Sequence, residues 1–234
     1  ITEDFAIHLP MTDRIAERIA LIRQQLPATV RFIAVTKQVS VEAMRAAYAA
    51  GIRDFGESRI QEAATKQEQL QDLPDITWHL IGSLQSNKAK RALELFQWIH
   101  SLDSLKLAQR LDRLAQDLSC RPQVCLQVKI LSDPHKSGWT IPELLDSLPE
   151  LNRCHNLQIA GLMTIPPLNL NDAAILSVFE QTRDLADKIQ QQHWSNLHMQ
   201  QLSMGMSDDY QLAVQAGATM VRLGRIIFGD RPSI

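Results

Sequence analysis

The stretch RFIAVTKQVSVEAMRAAYAAGIRDFGES, residues 31–58, opens with a short apolar and β-branched run. It then passes through a polar loop into a segment with apolar residues three or four apart, and closes on a second short run. Strand, helix, strand in that order is the repeating unit of a parallel sheet covered by helices. Outward from this stretch the same alternation recurs. Strand candidates fall at 31–37, 54–58, 76–82, 98–103, 123–130, 157–165, 198–205 and 219–225, which makes eight. Helical spacing is found between them at 41–51, 59–70, 88–95, 105–118, 141–151, 173–192 and 208–217. One more helix, 12–26, precedes the first strand, where it could cover the wall that a helix after the last strand would normally cover.

Eight such units in about 224 residues, the 234 of the chain less its first ten, match the usual size of a single (β/α)8 TIM barrel. The alternative is an open doubly wound sheet. Its dinucleotide-binding form needs a GxGxxG turn after the first strand, and the loop there reads TKQVS. The expectation is therefore one α/β domain over residues 11–234. Residues 1–10, ITEDFAIHLP, contain a proline and no clear periodicity, and are read as an expression remnant or a disordered extension.

Composition limits the partners. The chain has 24 Lys and Arg against 26 Asp and Glu, a net charge of −2, so no overall basic field draws it to nucleic acid or to an acidic membrane. There is no run of about 18 apolar residues and no export signal, which points to a cytoplasmic protein. Cys120, Cys125 and Cys154 form no CxxC pair and show no metal-ligand spacing, as expected of reduced, structural thiols.

In a barrel of this kind the reactive groups lie at the C-terminal ends of the strands. Lys37 ends the first run, where the pattern predicts partial burial. Desolvation there would favour the neutral amine, which can attack an aldehyde, although a lysine at that place can also simply mark the strand's exit into solvent. In LSMGMSDDY, Ser203, Gly205 and Ser207 lie between a strand and a helix whose first turn carries Asp208 and Asp209. Free N–H groups at such a terminus suit a phosphate, and Ser207 is read as the helix cap. Arg222 and Gly224 alternate at the end of the last strand, so both should face the mouth. The last two strand loops are a recurrent phosphate site of this fold, and both glycine-containing segments fall there. His79 is read as a satisfied interior histidine, Asn87 as a helix cap beside an anion-attracting Lys88, and Met163 with Thr164 as core or as cover for a ring face.

The segments AVTK, FGESRIQE, WHLIGSLQSNK, HSLDS, KSGW, GLMTIPP, LSMGMSDDY and VRLGRIIFG, in this order, resemble the YggS/PROSC family of pyridoxal phosphate homeostasis proteins, in the form of a bacterial member. That family is similar in fold to the N-terminal barrel of alanine racemase. The resemblance implies that pyridoxal 5′-phosphate (PLP) forms an imine with Lys37. It also implies that Ser203 and the backbone around Gly205 bind the phosphate, that Gly224 and Arg225 complete that cradle, and that Arg222 approaches the pyridine nitrogen. Met163 and Ser58 are the remaining cofactor contacts expected. Members commonly carry Asn at the place of Ser58 and Thr at the place of Arg225. Arg225 would then replace the hydroxyl with charge, or contact phosphate only through its N–H.

PLP enzymes usually place a carboxylate at the ring nitrogen to keep it protonated. Arg222 would do the reverse and weaken carbanion stabilisation. The second base of the racemase is a tyrosine from another domain, and the sequence stops nine residues after Arg225. Tyr48 and Tyr210 fall within predicted helices. The resemblance thus implies a monomeric, non-catalytic PLP carrier or regulator that serves vitamin B6 and amino-acid and keto-acid balance. It would exchange PLP with PLP-dependent apoenzymes or answer to a regulatory protein. Two enzymes remain as alternatives: a monomeric racemase of low activity, and a class I aldolase that uses Lys37 without PLP.

Overall fold

The computed structural model describes residues 11–133 and 136–230, so the reading of residues 1–10 lies outside the described residues. The strands are β1 (Arg31–Val35), β2 (Asp54–Glu57), β3 (Thr77–Leu80), β4 (Trp98–Leu102), β5 (Gln123–Lys129), β6 (Trp139–Thr140), β7 (Gln158–Met163), β8 (Leu197–Ser203) and β9 (Met220–Leu223). All pair in parallel. Eight of them close a ring in the order β1-β2-β3-β4-β5-β7-β8-β9 and back to β1, while the two-residue β6 pairs with β5 outside it. The eight predicted strands are the eight of the ring. Several stop short of their predicted ends: β1 at Val35, β3 at Leu80, β9 at Leu223. Their last residues leave the ladder to build the loops of the mouth.

The helices are α1 (Met11–Gln25), α2 (Val41–Ala49), α3 (Ile60–Gln69), α4 (Ala89–Leu95), α5 (Leu105–Asp117), α6 (Ile141–Leu151), α7 (Asp172–Gln190), α8 (Tyr210–Gln215) and the four-residue α9 (Arg225–Phe228). Their starts follow from local chemistry. Ser40, Ser104 and Asn171 each cap a helix by accepting a backbone N–H, and Thr140 with Glu143 forms a capping box.

Helix α1 covers the wall that precedes β1, as its position in the sequence suggests. Ile15, Ile19 and Ile22, spaced four and three apart, are buried. Each contributes about 1.5–3 kcal/mol by leaving water. Arg18 donates to the carbonyl of Ile227 at 3.0 Å, and Arg23 to those of Ala50 and Gly51 at 3.0 and 2.7 Å. These bonds tie α1 to the end of α9 on one side and to the end of α2 on the other.

Most of the core lies between the strands and the helices. A smaller cluster fills the barrel interior: Ile33, Trp98, Cys125, Met163 and Met220. Polar residues share that interior. His79, His100 and Ser203 are fully buried and Arg222 is 4% exposed. A close-packed barrel is a solid core, so these groups must satisfy one another.

Candidate cofactor site at the barrel mouth

Strand β1 ends at Val35, and Thr36 and Lys37 turn away from the sheet. The N–H of Val39 closes the turn on the carbonyl of Thr36 at 2.9 Å, and Gln38 takes a positive φ of 60°. Lys37 is thereby carried off the strand into a cavity of about 480 Å³ at the C-terminal mouth. Ser58, Arg222, Gly224 and Arg225 line the same cavity. Five of the eight residues expected at a cofactor site therefore meet in one place. Val35, Ile81, Ile165 and Met206 supply apolar wall, and Ser207, Asp208 and Asp230 further polar groups. The mixture suits a flat, partly apolar ligand with an anionic end.

Three expected residues are placed elsewhere. Ser203 ends β8 with its side chain inside the barrel, fully buried, where Oγ accepts from Arg222 Nη1 at 2.6 Å and lies 2.7 Å from His100 Nδ1. That hydroxyl does not line the cavity. Gly205 has φ +94°, and a Cβ built there would meet Cβ of Ala213 at 2.7 Å, so this glycine serves the turn and the seating of α8. Met163 packs in the interior cluster with Ile33 and Trp98, which is its core reading. The adjacent Thr164 is buried too, and its hydroxyl donates to the carbonyl of Val128 at 3.0 Å.

Ser207 is the residue whose role the sequence misassigned. Its Oγ accepts from the N–H groups of Gly224 and Ile226, both at 3.3 Å, so it caps the turn that opens α9 and not the start of α8. At the start of α8, Asp209 holds the N-cap position without a side-chain cap bond, its carboxylate accepting instead from the N–H of Met206 at 2.6 Å. Only a non-local view separates these readings, because β8 and β9 must be adjacent for Ser207 to reach Gly224. The guanidinium of Arg225 pairs with Asp208 at the exposed rim. Of the two expectations for Arg225, its side-chain partner favours contact through the N–H.

Arg222 is the charge buried deepest in the cavity wall. Its Nη1 donates to Ser203 and its Nη2 to the carbonyl of Thr164 at 3.1 Å. Burial pushes its pKa down to about 10, opposed by the nearby Asp209, so it remains a cation at neutral pH. His79 and His100 are held below the usual histidine range, His100 well below it, chiefly by burial. His79 is the satisfied interior histidine that was expected. Asn87 and Lys88 lie in a 3-10 turn, Ser86–Lys88, in which no side chain caps the following helix. Tyr48 lies 2.5 Å from Asp75, and Tyr210 is bound to Gln25 at 2.5 Å; neither lines the cavity. The three cysteines are free thiols. Among the described residues no helix is long and apolar enough to cross a membrane, and no cluster of side chains is placed to hold a metal ion.

Comparison with known proteins agrees with this geometry. Residues 11–232 match the family described as alanine racemase, N-terminal domain. An alanine racemase of Clostridium difficile, 16% identical, superposes with a TM-score of 0.76 over 94% of this chain and 58% of its own, which shows the fold. The class is thus a (β/α)8 barrel of the racemase N-terminal type. A pyridoxal phosphate homeostasis protein of Synechocystis sp. is 53% identical over 206 residues, 88% of this chain and 94% of its own. PipY of Synechococcus elongatus, solved with PLP bound, is 52% identical with a TM-score of 0.88, over 92% of this chain and 100% of its own. The chain belongs to the pyridoxal phosphate homeostasis protein family.

Proposed function

We propose that this protein holds PLP reversibly as an imine on Lys37 and acts in PLP homeostasis without rapid turnover. The observation that carries this reading is the convergence of Lys37, Arg222 and the Gly224–Arg225 turn on one cavity. When bound there, PLP would supply an aldehyde for the amine and an electron-accepting ring. Lys37 would provide the amine. The N–H of Arg225 and the Ser207 hydroxyl would receive the phosphate, and Gly224, whose own N–H goes to Ser207, would leave the backbone open to it. Ser58, at the end of β2, lines the cavity and would contact the ligand from the strand next to Lys37. Arg222, a fixed cation, would face the ring nitrogen and keep it unprotonated, which weakens the ring as an electron sink. Neither tyrosine lines the cavity to serve as a second base on the far face of the ring. These features favour a carrier over a racemase, and we take it to be a cytoplasmic monomer that exchanges PLP with apoenzymes.

The test is borohydride reduction of the PLP-loaded protein, followed by peptide mass mapping. The adduct is expected on Lys37 and should vanish in Lys37→Ala; an adduct on another lysine overturns the assignment. Deuterium exchange at the α-carbon of added amino acids separates carrier from racemase. Washout at enzymatic rates would defeat the non-catalytic reading.

A further inference from the structure

A single file of hydrogen bonds runs through the barrel interior beneath the cavity. Asp54, the first residue of β2, lies 2.9 Å from His79 Nε2 through its Oδ1. His79 Nδ1 is 3.0 Å from His100 Nε2, His100 Nδ1 is 2.7 Å from Ser203 Oγ, and that oxygen is 2.6 Å from Arg222 Nη1. Five side chains from β2, β3, β4, β8 and β9 are thus joined. One end is at the floor of the barrel, where Asp54 is 22% exposed beside Arg31, and the other is in the cavity wall.

Donor and acceptor chemistry fixes the direction of every bond. A guanidinium can only donate, so Ser203 Oγ accepts from Arg222, and His100 Nδ1 is the acceptor within reach of the buried hydroxyl proton. His100 then carries its proton on Nε2 and donates to His79 Nδ1. His79 in turn carries its proton on Nε2 and donates to Asp54, which as a carboxylate can only accept. Worked from either end, the assignment is the same. An imidazolium at either position would place an N–H where the file requires a lone pair, and would leave the buried Ser203 hydroxyl proton without an acceptor. The rings are also held in place: His79 lies nearly parallel to Trp98, with centroids 5.8 Å apart, and the guanidinium of Arg31 sits 5.3 Å from the Trp98 ring centroid.

We propose that His79 and His100 form a neutral relay, locked in one tautomer, that links the carboxylate of Asp54 to Ser203 and so fixes the Arg222 guanidinium toward the cofactor's ring nitrogen. The four residues behind Arg222 are positioning residues, and the inference rests on the reading of Arg222 given above. The relay keeps Ser203 as an acceptor aimed at Arg222.

The experiment uses the full-length, PLP-loaded protein with ¹⁵N-labelled histidine, read by long-range proton–nitrogen correlation at pH 6 and pH 7. Both interior histidines are expected neutral with the proton on Nε2. An imidazolium, or a proton on Nδ1 of either ring, overturns the relay. Asp54→Ala, far from the cavity, should alter the His100 signals and raise the PLP dissociation constant about threefold to tenfold, the loss of one charge-assisted bond. Asp54→Asn keeps an acceptor oxygen and should restore both to near the parent protein. Unchanged His100 signals and unchanged PLP retention in Asp54→Ala also overturn the relay. Borohydride mapping of the same samples keeps the two claims apart. An adduct on Lys37 with the wrong tautomers defeats the relay alone, whereas no adduct on Lys37 defeats the cofactor reading and the role of Arg222 with it.

Discussion

The carbonyl of Thr36 accepts a 2.6 Å bond from Nζ of Lys66, so the peptide unit that precedes Lys37 is gripped by a buried ammonium. The same ammonium binds Glu57 at 2.8 Å and Glu62 at 2.6 Å, and Thr36 Oγ1 donates to Glu57 at 2.6 Å. On the other flank of Lys37, the N–H of Gln38 donates to Glu62 at 2.5 Å. The segment FGESRIQE thus supplies the frame that holds the lysine-bearing turn. Burial pushes the Glu57 carboxyl above its ordinary 4.5, against the pull of Lys66 and Thr36, and its Oε2 has no hydrogen-bond partner. Removing the cation would leave that carboxyl uncompensated. Lys66→Met should therefore cost about 3–5 kcal/mol at neutral pH, measured by urea denaturation. A carboxyl with a raised pKa stabilises the fold below its unfolded value and loses that contribution as pH rises through the folded one. The deficit should therefore shrink as the pH approaches 4.5. The double variant Lys66→Met, Glu57→Gln should recover most of the stability at pH 7. If Lys37 carries PLP as proposed, imine formation should be slowed in both variants, because Thr36 lacks its donor in each.

The buried histidines give stability a second pH dependence. Both His79 and His100 are depressed below 6.5, first by burial, and His100 further by His79 and Arg222. A depressed base binds fewer protons folded than unfolded, so its contribution is present above pH 6.5 and is lost as pH falls toward the folded value. Each histidine should add about 1.4 kcal/mol per pH unit to the slope of unfolding free energy against pH below 6.5. Replacing His100 by Gln should lower stability at pH 7 and flatten that slope by about one histidine. Equal slopes in parent and variant between pH 6 and pH 5 would contradict the burial of a neutral ring.

The ring of strands was legible because it follows from periodicity, and so was the place of Lys37, Arg222 and Gly224 at its mouth, whereas Ser58 and Arg225 came from the family resemblance alone. Lys37 stands at the C-terminal end of an apolar run, and Arg222 and Gly224 near the end of the last strand, so strand order sends them to one end of the barrel and parity puts Arg222 and Gly224 on one face. Parity failed at LSMGMSDDY, which holds two serines four residues apart. Which of them meets the cavity depends on where β8 leaves its ladder with β9, and β8 ends at Ser203 with its hydroxyl turned inward. At Gly205 a similar ambiguity arises. A glycine beside an anion loop and a glycine beneath a helix look alike until the helix is in place. His79 pairs with Trp98, two residues before His100, so both rings face the same side of the sheet, but that register is set by the paired strands and not by their sequences. Their link to Ser203 spans 103 residues and appears only when the barrel closes.

The two glycines of the mouth should respond differently to alanine. Gly205→Ala places a Cβ on a backbone of φ +94° and within 2.7 Å of Ala213, which should cost about 1–3 kcal/mol. Its effect on PLP affinity should follow stability alone. At Gly224 the φ is −126°, and a Cβ would meet Val35 at 3.3 Å, a contact that small shifts can relieve. Gly224→Ala should cost no more than about 1 kcal/mol yet weaken PLP retention, since this residue lines the cavity. Thermal unfolding with and without PLP separates the two. The reverse pattern would move the phosphate contact back to the Gly205 loop.

Ser207 offers the sharpest local test, because its hydroxyl serves both the fold and the cavity. Its Oγ accepts from Gly224 and Ile226, and Ser207→Ala should cost about 0.5–2 kcal/mol, as the loss of a capping side chain does. A cap that only shaped α9 would lower stability with and without PLP by the same amount. If Ser207 also receives the phosphate, the loss should be larger in the PLP-loaded protein, because its hydroxyl no longer donates to the anion. Ser207→Thr keeps the hydroxyl and should return both values to within about twofold in PLP affinity. A loss identical in loaded and unloaded Ser207→Ala would confine this residue to shaping α9 and remove it from the phosphate site.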